Sequence, residues 1–172
     1  EWLDGLCRAG RATWMRLTVP RAPAGKDKAP SPVRTTPIAL LTRRHLATWR
    51  AAAQARADEA GRLSPRAQSV ADFLAGHGAS FFDDIVAGTG LLKTQTEEAL
   101  GELVALGLAA ADSFAGLRAL LVPADKRGGY RGRRRHLAEF GIEEAGRWTL
   151  VRHHGDKESE RTPEQVEAVA RP

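Results

Sequence analysis

The chain has 172 residues, of which 42% are hydrophobic and 27% are charged, a composition typical of globular proteins with one sizeable core or two small ones. No apolar run approaches the roughly 20 residues of a membrane-spanning helix, and the N-terminus lacks a signal-peptide pattern, so a cytoplasmic protein is expected. A single cysteine, Cys7, excludes an internal disulfide and argues against a cysteine-based zinc site. Because Glu1 is not a methionine and a helical pattern is already under way there, the chain is expected to be a fragment.

The net charge of +5 is distributed unevenly along the chain. Residues 1–63 carry 12 Lys or Arg against 5 acids, residues 64–122 carry 3 against 7, and residues 123–147 carry 7 against 4. These regions have net charges of +7, −4 and +3, so an acidic central region lies between two basic flanks. An anionic partner such as a nucleic acid is therefore expected to contact the flanks.

Residues 1–42 are predicted to contain the end of an amphipathic helix and two strands separated by a long loop. The first strand is predicted at 12–19, where Trp14 lies on one face of an alternating pattern. The loop at 20–32 contains four prolines and is expected to be mobile. The compact apolar run at 36–42 is predicted to pair with the first strand.

A connecting helix rich in alanine and arginine is predicted over 43–62, with Leu46, Trp49 and Ala53 facing inward. Its arginines have two possible interpretations. They form either a solvated face or a set of phosphate contacts, for which the guanidinium fork is well suited. These arginines are Arg43, Arg44, Arg50 and Arg56.

Three helices are predicted within residues 63–122. Ser64 followed by Pro65 is typical of a helix start, because serine caps the first turn and proline fits its first position. A short second helix is predicted at 80–88 and a longer third helix at 94–106, with a glycine stop after it. The predicted core consists of Phe73, Leu74, Phe82, Ile85, Leu100, Leu103, Val104 and Leu120.

Two short apolar runs after the third helix, 108–112 and 117–122, are predicted to form a β-hairpin. The order helix, short helix, tight turn, helix and hairpin is that of a winged helix. The chain is therefore predicted to be a mainly helical α+β protein with a winged helix at 63–122. Residues 1–42 would then be the tail of a preceding winged-helix module. The alternative is a generic three-helix bundle with a β tail.

The C-terminal third begins with a basic, glycine- and arginine-rich linker at 123–145, in which ADKRGGYRGRRRH surrounds Tyr130 with cations. This composition fits a flexible linker, and it also fits a tether that follows a nucleic-acid strand through phosphate contacts and base stacking. Residues 146–172 are predicted to start a following domain with a strand at 146–153, and the partners of that strand are expected to be missing from this chain.

The sequence contains no recognisable catalytic constellation. The loop GxxxxGK(S/T), which cradles nucleotide phosphates, is absent, so the chain is not expected to hydrolyse ATP by itself. Asp83 and Asp84 are neighbours on a helix and are expected to stabilise its first turn rather than to act as an acid/base pair. The cluster of His153, His154 and Asp156 is interpreted as a surface feature, and no metal ligand is assigned. Whether the fragment has an enzymatic activity stays open.

The first turn of the third helix offers Lys93, Thr94 and Gln95 to a phosphate backbone. Further along, its outward face is expected to carry three carboxylates, which repel phosphates. Sequence-specific reading of bases by this helix is therefore not expected. The carboxylates are Glu97, Glu98 and Glu102.

Several motifs carry a family resemblance: LDGLCRAGRATWMRL, PIALLTRRHLATW, GASFFDDIVAGTGLL, EEALGELVALGL and DSFAGLRALL, with GRWTLV matching weakly. Together they resemble the C-terminal region of the bacterial Lhr (large helicase-related) ATP-dependent DNA helicases. The resemblance covers residues 2–17 and 36–121. It implies an array of winged helices that follows a helicase motor, with ATP and magnesium as cofactors of the full-length protein, DNA as substrate and repair as the context.

The expected function is an accessory region that contacts single-stranded DNA without sequence specificity. The expected partners are DNA and the other domains of the same full-length protein, with no membrane involved. The alternative is a protein-interaction or spacer winged helix without direct DNA contact. The residues expected to contact DNA are Arg43, Arg44, Lys93, Thr94, Gln95, Arg127, Tyr130, Arg131, Arg133, Arg134 and Arg135.

Overall fold

The computed structural model describes residues 2–17, 37–49, 63–121 and 141–151. This part of the chain consists of two small antiparallel sheets with helices packed against them. The fold is α+β, as predicted. The predicted loop at 20–32, most of the linker and the predicted C-terminal helix lie outside the described residues. Among the described helices, none is both long and apolar enough to cross a lipid bilayer.

The N-terminal elements are a helix, α1 (Trp2–Arg8), and two strands, β1 (Ala12–Met15) and β2 (Ala39–Thr42). The strands pair antiparallel, with Ala12 opposite Thr42 and Met15 opposite Ala39, so the predicted pairing is confirmed. All of Thr13, Trp14 and Met15 are buried, which means that both faces of β1 are covered. The predicted connecting helix begins with a 3-10 turn at Arg43–His45 and is helical at 46–49, and its remainder lies outside the described residues.

The first predicted helix of the central region is present as α2 (Pro65–His77). The Ser64 hydroxyl accepts a hydrogen bond from the Ala67 N–H at 3.2 Å, which is the predicted cap. The helix ends at Gly78, whose φ of +75° is accessible to glycine at little cost. Local signals in the sequence therefore determined both ends of α2.

The second and third predicted helices are also present, with small shifts in their bounds. A two-residue strand, β3 (Ser80–Phe81), precedes the short helix α3 (Phe82–Thr89), which therefore begins later than predicted. The longer helix α4 (Lys93–Ala105) follows, and Gly107 with a φ of +71° turns the chain away from it.

The predicted hairpin after α4 is wrong. Its first run contains a strand, β4 (Ala109–Ala111), but residues 117–120 of the second run belong to a helix, α5 (Phe114–Leu120). The place beside β4 is taken by β5 (Arg147–Leu150), so the strand order of the sheet is β3-β5-β4. A short apolar run fits a buried strand and a buried helix equally well, and only the partner in space decides between them.

The strand predicted to lack partners, β5, is instead the central strand of this sheet. Its Trp148 lies opposite Ser80 of β3 on one side and Ala111 of β4 on the other. Helix α5 packs closely on the sheet because residue 116 is glycine. A methyl group there would lie 2.7 Å from the Ala111 side chain.

The core lies between the helices and the second sheet, and seven of the eight predicted core residues are buried in it. The exception is Phe73, which is half-buried and stacks on the His77 ring with 4.2 Å between centroids. The N-terminal elements join the same core. The Trp14 indole N–H donates to the Ser113 carbonyl at 2.9 Å.

Candidate nucleic-acid interface

Four exposed arginines lie near one another at one end of the β1–β2 pair and at the start of β5. Arg11 comes directly before β1, and Arg43 and Arg44 come directly after β2. Because the two strands are antiparallel, the start of β1 and the end of β2 are adjacent, and the Arg43 N–H donates to the Arg11 carbonyl at 3.1 Å. Arg147 begins β5. We call Arg11, Arg43, Arg44 and Arg147 the arginine cluster.

A single carboxylate, Asp112, connects Arg43 to Arg147. Its Oδ2 accepts from Arg147 Nε at 2.9 Å, and its Oδ1 lies 3.5 Å from Arg43 Nη2. The first is a well-formed charge-assisted hydrogen bond, whereas the second is at the outer limit of one. One carboxylate does not neutralise four guanidinium groups, so the cluster keeps an excess of positive charge.

A cleft of about 210 Å³ lies between the two sheets, beside this cluster. Arg43, Asp112 and Arg147 line one side of it. The remaining lining includes five buried strand residues and two partly buried residues, Leu46 and Thr149. The buried residues are Thr13, Trp14, Met15, Ala110 and Ala111.

The first turn of α4 does not present its polar groups as freely as the sequence suggested. Lys93 forms ion pairs with Asp83, at 3.2 Å, and with Glu143. Its hydrogen bonds to Glu143 and Asp83 raise the pKa of the Lys93 ammonium. Gln95 Oε1 accepts from the Leu92 N–H at 3.1 Å and so caps the helix. Of the three predicted contact residues on α4, Lys93 and Thr94 are exposed to solvent, and Thr94 has no part in these ion pairs or in the cap.

The three glutamates of α4 do not form one outward acidic face. Glu102 is buried, and its Oε1 accepts from the Ser64 N–H at 2.7 Å, so it ties α4 to the start of α2. Glu98 forms an exposed ion pair with Arg66 at 3.2 Å. Only Glu97 and Glu98 remain on accessible parts of the helix. The repulsion expected from this helix is therefore weaker than predicted.

Two members of the arginine cluster, Arg43 and Arg44, were predicted from the sequence, and two were missed. Arg11 could have been found from the predicted pairing of the first two strands, since its position continues the register next to Arg43. Arg147 carried no such signal, because its neighbours come from segments far apart in the chain. The predicted contact residues of the linker lie outside the described residues. They are Arg127, Tyr130, Arg131, Arg133, Arg134 and Arg135.

Within the four described segments, no group of three or more His, Cys, Asp or Glu side chains is arranged to hold a metal ion. His153, His154 and Asp156 lie outside these segments. Comparison with known proteins finds no matching family model, and no curated protein matches the chain. The function is therefore inferred from the residues of this chain.

Proposed function

We propose that this chain is an accessory DNA-binding region of an Lhr-like superfamily 2 DNA helicase, built on a winged helix, and that it contacts single-stranded DNA without sequence specificity. The observation that carries the proposal is the exposed arginine cluster, which joins the β1–β2 pair to the second sheet. Arginine forks bind phosphate oxygens in pairs, and such contacts carry no sequence information.

The order and pairing of the elements support the winged helix. Helices α2, α3 and α4 follow one another with a tight turn between the last two, and the strands after α2, after α4 and at 147–150 form one antiparallel sheet. The connection between β4 and β5 is much longer than a simple hairpin and includes α5. In this proposal the module is a winged helix in which a long insertion takes the place of the usual wing.

The contacts made by α4 support backbone binding rather than base reading. Lys93 and Gln95 are engaged within the protein, and Glu98 adds negative charge to the same helix. Base recognition in a groove requires free Arg, Lys, Asn or Gln side chains. Non-specific binding requires only a basic surface, which the arginine cluster supplies and which the basic linker at 123–145 extends in sequence.

The helicase context comes from the family resemblance. In that context, ATP and magnesium belong to the motor of the complete protein, and the present region holds the strand that the motor moves. The partners are single-stranded DNA and the neighbouring domains of the same polypeptide.

A second candidate function is a protein-interaction or spacer module, which is favoured by four exposed large apolar side chains among the described residues. Trp2, Leu40, Phe81 and Leu92 have 78%, 55%, 54% and 67% of their surface exposed. Exposed apolar surface of this kind is typical of sites that contact another protein or domain.

Fluorescence anisotropy with a labelled single-stranded oligonucleotide of mixed sequence, at two or more salt concentrations, tests the proposal. Affinity is expected to fall with salt by about 0.7 log units per phosphate contact for each tenfold increase in concentration. The double substitution of Arg11 and Arg44 with alanine is expected to lower both the affinity and this slope.

The linker and α4 provide further variants for the same assay. Replacing Arg133, Arg134 and Arg135 together with alanine is expected to weaken binding, whereas Gln95→Ala is expected to change little. Arg66→Ala is the matched control, because Arg66 is exposed and pairs with a single carboxylate outside the cluster. Loss of binding in Gln95→Ala alone would instead show that α4 makes the main contacts with DNA. Absence of binding by the parent chain at low salt would favour the spacer function.

A further inference from the structure

The cleft beside the arginine cluster has the features of a site for the end of a nucleic-acid strand. We propose that it binds a terminal phosphate monoester together with the nucleotide that carries it. This inference rests on the proposed DNA-binding function and goes beyond it, because it assigns a specific site and a specific chemical group. It names no base, since the contacts available are to phosphate and to apolar parts of the nucleotide.

The size of the cleft limits its occupant to about one nucleotide. Its volume of about 210 Å³ is below the range of roughly 300–1,000 Å³ that is typical of sites for drug-sized ligands. Its lining residues Trp14, Met15, Ala110 and Ala111 are each no more than 3% exposed, so the cleft is closed on that side. The cleft therefore accommodates a single nucleotide above this floor. The charges around it decide between the end and the middle of a strand.

The charged residues that line the cleft, Arg43, Asp112 and Arg147, favour a phosphate monoester as its ligand. Arg43 and Arg147 converge on Asp112, but the Arg43 contact is long, at 3.5 Å. The guanidinium of Arg43 can therefore turn to a better acceptor at little cost. A phosphate monoester carries a charge of about −1.5 to −2 at neutral pH and offers three acceptor oxygens, against one charge on Asp112. An internal phosphodiester carries a single charge, so a strand end is favoured over the middle of a strand.

The rest of the lining fits a sugar and a base. Leu46 and Leu150 are partly buried and offer apolar contact, and the partly buried Thr149 carries a hydroxyl group. Ala110 lies opposite Thr149 in the β4–β5 pair, and its small side chain leaves room in the cleft. The arrangement is apolar where a base or sugar would lie and cationic where a phosphate would lie.

In this arrangement Asp112 acts as an internal competitor of the phosphate. It occupies the arginines in the free protein and must give them up when the strand end binds. Removing its charge is therefore expected to strengthen binding of the terminal phosphate, whereas removing an arginine is expected to weaken it. A purely structural role of the three side chains predicts no such opposite effects.

The test compares unlabelled oligonucleotides of one sequence as competitors of a labelled strand, using the full chain. One competitor carries a 5′-phosphate, one a 3′-phosphate, and one has hydroxyl groups at both ends. At least one phosphorylated competitor is expected to bind about fivefold or more tightly than the hydroxyl form, since charge-assisted hydrogen bonds are gained. The end that binds more tightly identifies the polarity. Equal affinities of all three competitors overturn the inference and leave the proposed function in place.

The variants are compared by one ratio, the affinity for the phosphorylated competitor divided by the affinity for the hydroxyl competitor. Arg43→Ala is expected to reduce this ratio toward one, and Asp112→Asn is expected to raise it. Arg66→Ala is expected to leave it unchanged. The side chains of Arg43 and Arg66 are 44% and 51% exposed, and each pairs with one carboxylate, so the two substitutions are matched. A ratio that falls in Asp112→Asn, in a variant that melts like the parent, overturns the inference.

Two further measurements keep the outcome decisive. Arg43→Lys retains the charge but loses the paired donors, so it is expected to give an intermediate ratio. It replaces Arg43→Ala if that variant fails to fold. If no oligonucleotide binds, the proposed function fails, and the cleft is then tested by NMR titration with thymidine 5′-monophosphate and with thymidine. Shifts at Thr149 and Arg147 with the monophosphate alone support the site. No shifts with either compound overturn it.

Discussion

Replacing Asp4 with asparagine is expected to weaken the contact between α1 and α5 and to lower the free energy of unfolding. The Asp4 carboxylate accepts from the Ala115 N–H at 2.9 Å and from Arg118 Nη2 at 2.8 Å. These bonds join residues that are more than 100 positions apart in sequence. Asparagine has almost the same shape, so the change removes the charge and one acceptor while leaving the packing intact.

The magnitude follows from the burial of the two partners. A hydrogen bond to a charged group contributes about 1.5–3 kcal/mol to stability. The Asp4 side chain is 9% exposed, but that of Arg118 is 46% exposed, so water screens the ion pair and can solvate the arginine once the carboxylate is gone. Asparagine also retains an oxygen for the Ala115 N–H. A loss of about 1–2 kcal/mol is therefore expected.

The pH dependence of stability gives an independent reading of the same contact. Burial alone would raise the pKa of the Asp4 carboxyl, but the hydrogen bonds from Arg118 and from the Ala115 N–H outweigh it and hold the pKa below its ordinary value of 3.8. The folded state thus binds this proton less readily than the unfolded chain. The stabilisation is complete above the unfolded pKa and is lost as the pH falls through the folded pKa.

Thermal and urea unfolding of the parent and of Asp4→Asn, at several pH values between about 3 and 7, measure both effects. The difference in stability is expected to be constant near neutral pH and to shrink in acid. Asp72→Asn is the matched control, since Asp72 is exposed and accepts one side-chain hydrogen bond, from Gln68 at 2.7 Å. If Asp4→Asn unfolds like the parent at every pH, the docking of α1 on α5 is refuted.

Two other substitution and labelling experiments examine the core. Leu103 is fully buried on α4, so Leu103→Ala is expected to cost about 2–5 kcal/mol in urea unfolding, whereas Leu92→Ala, at a site that is 67% exposed, is expected to cost about 0.5 kcal/mol or less. An unchanged melting curve for Leu103→Ala would contradict the burial of this face of α4 in the core. Cys7 is the only cysteine and is buried, and burial, followed by the nearby Asp4 charge, raises the pKa of its thiol. A thiol reagent is therefore expected to label it only as fast as the protein opens, and labelling of native protein at the rate of the unfolded chain would contradict this.

The sequence determined those elements whose ends are marked by local chemistry. Helix α2 begins where Ser64 and Pro65 predict it and ends at Gly78, because capping groups and a glycine with positive φ act within one turn of chain. Helix α4 is predicted equally well by its apolar spacing. The pairing of β1 with β2 was also predictable, since two apolar strands that follow a helix end have few other partners.

The tertiary structure decided every feature that depends on a distant partner. The run at 117–122 has the composition of a strand, but β5 occupies the place beside β4. Residues 117–120 instead belong to a helix that packs on the sheet through Gly116. Glu102 is polar and was assigned to the solvent face, but it is buried because an N–H at the start of α2 needs an acceptor there. Neither partner is visible in the local sequence.

The candidate site follows the same division. The charge pattern predicted that basic groups lie on the flanks, and Arg43 and Arg44 belong to the arginine cluster. Arg147 and Asp112 come from segments that local patterns treat as separate, and only the pairing of β4 with β5 and the packing of β1 beside them form the cleft. Local propensity acts over one or two turns of chain, whereas a binding cleft is formed by segments that meet only in the folded state.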